Sequence, residues 1–297
     1  NFLMMSFVRL ALFLVLLILP SGYQGRRIDY RKGIHNNVCK TLENNVLVYC
    51  IFVDSKETSP WTEFDIKTTI DSIAIAIKWL ENQARQNGIS LNIITDYYIG
   101  EEYSTIKRAL PEGTVLKSIS EPNIRKGMEA LNLWADNIAR KAGSTFDITD
   151  KDGIPEVKNP RNKERLVAFL RDSKQVESVA LLYMVNNYFR NDISISVNTL
   201  NTYDVEFAIV SYKYPSVIAQ SILHLFGAAD LYKTHYRKNE KKILIASNYF
   251  PDDIMQDVYA RNINGLEIGK FTQYLIGWKN KLEADYHTLL TDKVANF

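Results

Sequence analysis

With 297 residues, 46% of them hydrophobic, the chain is long enough to bury a sizeable core, and its composition fits neither a disordered chain nor a collagen-like repeat. The formal charge of +2 comes from 36 basic and 34 acidic residues interspersed along the sequence, which excludes the global electrostatic pull expected of a nucleic-acid binder or a protein held to acidic membranes. One large domain, alone or with a small subdomain, accounts for this length.

Leu10 to Leu19 (LALFLVLLIL) is a ten-residue apolar run that follows Arg9 and precedes a Pro-Ser-Gly break. That is the build of a secretory signal segment, and it falls short of the roughly 20 residues of a membrane span. Residues 1–25 are therefore read as a signal peptide, 26–45 as a polar, basic, irregular arm, and 46–297 as the main domain with a C-terminal subdomain. Ser21, Gly22 or Gly25 could precede the cut, although none has a small residue two places before it. The expected destination is the periplasm, the outside of the cell or its surface, with retention as an uncleaved signal anchor as the variant; no stable span is expected beyond the signal segment. Cys39 and Cys50 leave two readings open: a disulfide tying the arm to the first strand, or a buried free Cys50 and an unrelated exposed Cys39.

Val46 to Val53 (VLVYCIFV) is a continuous apolar, β-branched and aromatic run that suits a strand buried on both faces. Ile66 to Asn87 then places Ile70, Ile73, Ile77 and Leu80 at helical spacing, with Gly88 as the stop. Leu91 to Ile99 returns to strand composition, completing a strand, helix, strand unit with a right-handed crossover. Pro122 to Ala142 reads as a second amphipathic helix ended by Gly143, Phe146 to Lys163 as a loop, Arg161 to Asp172 as a short helix, and Val179 to Val185 as another buried strand. Ile193 to Val197 and Val205 to Ser211 form a pair of strands, and a helix starts at Pro215 or Ser216. No repeat of 20 to 50 residues is present, so solenoids and propellers are not expected.

That last helix carries the chemistry. In "VIAQSILHLFGAADLY" (Val217 to Tyr232), His224 is followed by Gly227, which lets the chain turn off the helix, and by Asp230, which can swing back toward the His. Downstream, "YFPDDIMQD" sets Met255 in an acidic, Pro-containing turn, and Leu266 to Trp278 reads as a closing helix beneath it. Over residues 46 to 280 the segment order and these motifs resemble the metzincin-type zinc peptidases (zincins) in their HExxHxxGxxD form with a Met-turn. The resemblance implies an α+β, α/β-like fold: a mixed, mainly parallel twisted sheet, two long helices, one bearing His224, and a smaller C-terminal part holding the Met255 turn.

Two of the motif's defined positions have changed. Gln220 stands where the first zinc-binding His would lie, one helical turn before His224, and Ser221 stands where the catalytic Glu would lie. Catalytic zinc needs three protein ligands, and an amide oxygen is a poor substitute for imidazole. A Ser hydroxyl cannot take the proton of a metal-bound water. The resemblance thus implies an exported pseudopeptidase whose degenerate ligand set (Gln220, His224, Asp230) holds zinc weakly or not at all. Its cleft would bind a peptide or protein, or regulate an active relative, and nucleic acid is not an expected partner. A competing reading is an active peptidase using Gln220 oxygen, His224 and Asp230 with another carboxylate as base; a third is a purely structural or adhesive surface protein. His235 would complete a metal site only through unusual geometry. Asp147, Asp150 and Asp152 do not match a calcium loop, and Lys233 to Lys242 reads as a solvated basic loop. No Ser-His-Asp order, phosphate loop or dinucleotide Gly motif is visible.

Overall fold

The computed structural model describes residues 26–29, 41–56, 58–100, 105–111, 124–144, 146, 162–186, 194–197, 205–211, 213–234 and 239–294. In chain order its elements are β1 (Arg26–Asp29), β2 (Asn44–Asp54), α1 (Glu63–Gln86), β3 (Leu91–Tyr98), β4 (Ile106–Lys107), α2 (Ile124–Gly143), α3 (Asn162–Lys174), β5 (Ser178–Val185), β6 (Ser194–Val197), β7 (Phe207–Val210), α4 (Pro215–Leu225), α5 (Glu240–Tyr249), α6 (Lys270–Leu275) and β8 (Thr291–Val294), with 3-10 segments at Ile263–Gly265 and Ala284–Leu289.

The central sheet runs β3-β2-β5-β7-β6, with β4 continuing beside the end of β2. All its pairings are parallel except β6 with β7, which are antiparallel. From β2 the chain steps to one side to form β3 and then crosses to the other side to form β5. Right-handed crossovers in opposite directions put their helices on opposite faces. The core divides accordingly: Val46, Val48, Cys50 and Phe52 share one apolar cluster with residues of α1 and α4. Leu47, Tyr49, Ile51 and Val53, alternating with them, share another with residues of α2 and α3. This is why β2 reads as an unbroken apolar run, and β5 repeats the pattern with every residue buried. The fold is thus a mixed α/β architecture with a mostly parallel sheet covered on both faces.

Helix α1 begins where the sequence supplies a cap: the Thr62 hydroxyl accepts from Asp65 N at 3.2 Å, with Glu63 and Asp65 at the positive end of the helix dipole. It ends at Asn87, after which Gly88 adopts φ +72°, a left-handed conformation that glycine takes without steric penalty. The C-terminal part shares the core of the α1 and α4 face: Ile254, Met255, Phe271 and Leu275 are fully buried in it. Two longer-range bonds fasten it, Ile268 N to Gln83 Oε1 at 3.1 Å and Trp278 Nε1 to the Leu42 carbonyl at 2.6 Å.

Several sequence expectations need correcting. The stretch from 26 to 45 is not irregular throughout, because β1 pairs antiparallel with β8 and β2 already starts at Asn44. The closing helix is only Lys270–Leu275; residues before it are held extended by a bridge between Asp253 and Glu267, and Gly269 sits at its N-cap. The basic run does not stay a loop to Lys242, since α5 begins at Glu240 with the Asn239 side chain capping Lys242 N. Cys50 is a buried free thiol. The signal-like run, Cys39, His35, His235 and the aspartates at 147, 150 and 152 lie outside the described residues. Among the described residues no helix is long and apolar enough to cross a membrane.

Candidate functional site at the end of helix α4

Helix α4 is wedged between the sheet and the 250–276 segment, so it is apolar nearly all round rather than along one stripe, and Val217, Ile218, Ala219, Ile222, Leu223 and Leu225 are all buried. Pro215 opens it, its fixed φ suited to the first helical position. In this setting each polar side chain on the helix has to find a partner, and the partners define what the helix can do.

Gln220, 6% exposed, donates its amide Nε2 to two carbonyls, Ile254 O at 3.0 Å and Gln256 O at 2.9 Å. Reversing the amide would set its oxygen against two carbonyl oxygens, so the partners fix its orientation. The two acceptors flank Met255, which is fully buried and whose own carbonyl accepts from Leu231 N at 2.8 Å. The Met255 turn is therefore pinned both to the middle of α4 and to the stretch of chain that leaves it. Ser221, also fully buried, donates Oγ to the Val217 carbonyl at 2.8 Å and lies 3.3 Å from Ser194 Oγ on β6.

One turn later the environment opens. Gly227 has φ +99°, and Gly227 N and Ala228 N bond back to the His224 and Leu223 carbonyls at 3.1 and 3.0 Å, turning the chain off the helix. The turn returns two groups to His224: the Ala228 carbonyl, 3.0 Å from Nδ1, and Asp230 Oδ1, 3.0 Å from Nε2. The second is an ion-pair contact rather than an aligned hydrogen bond, since Asp230 Oδ1 has no hydrogen-bond partner. The two side chains are 19% and 23% exposed. Burial pulls the imidazole pKa down, but the charge and proximity of Asp230 and the bond to the Ala228 carbonyl outweigh it and hold His224 above its ordinary value. With Nδ1–H committed to the Ala228 carbonyl, a neutral ring would turn the Nε2 lone pair toward a carboxylate, and a proton on Nε2 relieves that clash.

The sequence motif therefore brings His224, Gly227 and Asp230 together and sets Met255 beside the same helix. Gln220, on the same helix, has its Nε2 on the Ile254 and Gln256 carbonyls, and the buried Ser221 hydroxyl is bonded to the Val217 carbonyl. A catalytic zinc needs three protein ligands and an open position; here two donors converge, and among the described residues no group of three or more His, Cys, Asp or Glu could hold a metal ion. His287 is no help, its Nε2 lying 3.2 Å from the Leu282 carbonyl on an exposed turn.

Sequence reasoning passed over Asp253, Gln256 and Ser194. Asp253 is fully buried and accepts from Met255 N at 2.8 Å, Gly269 N at 3.0 Å and Thr272 Oγ1 at 2.8 Å. Gln256 Nε2 donates to the Ala246 and Phe250 carbonyls at 3.2 and 2.9 Å. The available signal was the acidic pair before Ile254-Met255, a turn sequence whose second Asp faces inward. No family model matches the chain, and no curated protein matches it.

Proposed function

We propose that this chain is an exported protein of zincin-like fold in which the peptidase centre has been converted to structure, a pseudopeptidase that binds a peptide or protein segment without cutting it. The observation that carries the reading is Gln220: at the position of a metal ligand, its amide joins α4 to both sides of the Met255 turn. Ser221, at the position of the general base, gives its hydroxyl to the helix backbone and is sealed from solvent. The surviving half of the motif, His224 and Asp230, faces the outside but offers only two donors. A place for an extended peptide adjoins the same helix: among the described residues β6, whose Ser194 lies 3.3 Å from Ser221, ends the sheet, and an edge strand presents backbone groups to which a further strand can add.

The test is elemental mass spectrometry on purified protein dialysed with a slight excess of zinc and then free of it, together with a peptide-library cleavage assay. The reading expects well under one zinc per chain and no cleavage; one retained zinc per chain with cleavage sinks it. A second reading, an active peptidase of unusual ligand set, draws on one feature: His224 donates Nδ1–H to a backbone carbonyl, as metal-binding histidines do. It requires the Gln220 oxygen to serve as a ligand while Nε2 keeps its two carbonyls, and a carboxylate from elsewhere than position 221 to act as base. The variant Gln220→His with Ser221→Glu separates fold from function. On a zincin scaffold it should lose stability in the absence of zinc and recover part of it when zinc is added; no zinc-dependent recovery in a folded variant would count against the zincin assignment itself.

A further inference from the structure

The Met255 turn hangs on one carboxylate. Asp253 Oδ1 takes the Met255 N–H, while Oδ2 takes the Gly269 N–H and the Thr272 hydroxyl, so a single side chain ties together the turn, the N-terminus of α6 and its first turn. The contact is close enough that a Cβ at position 269 would sit 2.6 Å from Oδ2, which accounts for glycine there. Among the described residues no positive charge comes with it. From the extended segment alongside, Glu267 pairs with it in the bridge and adds a like charge. On α6, Lys270 points outward to Glu283 at 2.7 Å. On the turn, Arg261 is taken by Asp252 at 2.7 Å on the surface, and the end of α5 contributes the Phe250 ring, 3.1 Å from where a Cβ at position 269 would lie.

We propose that Asp253 is a proton-operated latch that sets how tightly the Met255 turn is held against α4. In the ionised state it keeps three donors but leaves a buried charge without a counter-ion beside Glu267, a costly arrangement. In the protonated state the new O–H on Oδ2 donates to Thr272 Oγ1, whose hydroxyl turns to act as acceptor; the Met255 N–H keeps Oδ1, and the Gly269 N–H keeps Oδ2 as a weaker, hydroxyl acceptor. The bonds lose their charge assistance, but the buried charge without a counter-ion is gone, and the balance favours the held turn in acid. The effect reaches the candidate site because the carbonyls flanking Met255 are those that Gln220 holds, and the Met255 carbonyl holds Leu231 beside Asp230.

Burial, opposed by the three donors and reinforced by Glu267, raises the Asp253 carboxyl from the ordinary range to about 7. A carboxyl whose folded pKa lies above its unfolded value of about 3.9 binds its proton more strongly in the folded chain, so stability falls as pH rises between those values and levels off above the upper one. The experiment follows thermal unfolding of the full chain from about pH 5 to about pH 9, with Asp253→Asn and the surface variant Glu267→Gln beside it. The latch requires the unmodified protein to lose several degrees across that range relative to Asp253→Asn, and Glu267→Gln to move the inflection to lower pH. Parallel profiles for the unmodified protein and Asp253→Asn overturn the proposal. Where Asp253→Asn does not fold, the surface variant decides: a shifted inflection supports the latch, and an unmoved one overturns it.

Discussion

The two halves of helix α4 have opposite characters. Around Gln220 and Ser221 the helix is buried, and the Gln220 Nε2 and the Ser221 hydroxyl are both given to carbonyls of their own chain. Around His224 and Asp230 it is partly open, and two ionisable groups face each other at 3.0 Å. In a three-ligand metal site both halves must point into one pocket. Here the inner half is a brace to the Met255 turn and the outer half is a His–Asp contact, which teaches that one short helix can carry a packed end and a partly open ionisable end.

The comparison breaks most visibly at Gln220. Gln220→Ala strands the Ile254 and Gln256 carbonyls and is expected to cost about 2–4 kcal/mol, read from the urea midpoint; a loss under about 0.5 kcal/mol would show that the brace bears no load. At the open end the expected change is in protonation. The Asp230 contact contributes stability that is present below the unfolded His pKa and is lost as pH rises through the raised folded value. Asp230→Asn should move the His224 titration, followed by imidazole NMR, to lower pH, and an unmoved titration would remove Asp230 as its cause. Thr62→Ala, far from both halves, should cost about 1 kcal/mol through the lost helix cap and leave the His224 titration untouched. The smallest effect belongs to Ser221→Ala, about 0.5 kcal/mol either way, because a hydroxyl bonded back to its own helix adds little; a zinc-dependent change in that variant would return Ser221 to a role in metal chemistry.

How much of this was legible depended on the range of the interaction. β2 and β5 could be read because strands buried on both faces need apolar residues at every position, and α1 because Thr62, Asp65 and Gly88 are local signals. The turn at Gly227 and the meeting of His224 with Asp230 follow from six residues of chain. The brace did not show itself, because Gln220 finds its acceptors 34 and 36 residues away and nothing in its own neighbourhood predicts that. Helix α5 was hidden by the lysines that open it, and β1 by a partner strand at the other end of the chain. The closing helix was overextended because Leu266 and Ile268 keep an apolar rhythm while they lie extended beside Asp253.

Cys50 sits in the middle of β2 with no exposed surface, between the two strands that flank it, and burial pushes its thiol well above the usual range. Such a sulfur reacts only as thiolate in contact with solvent, so it can be reached only when β2 parts from its neighbours. In a Cys39→Ser background, the rate at which a thiol reagent labels Cys50 becomes a stopwatch for opening of the sheet. Labelling that is no faster than global unfolding would mark β2 as part of the last unit of the molecule to come apart.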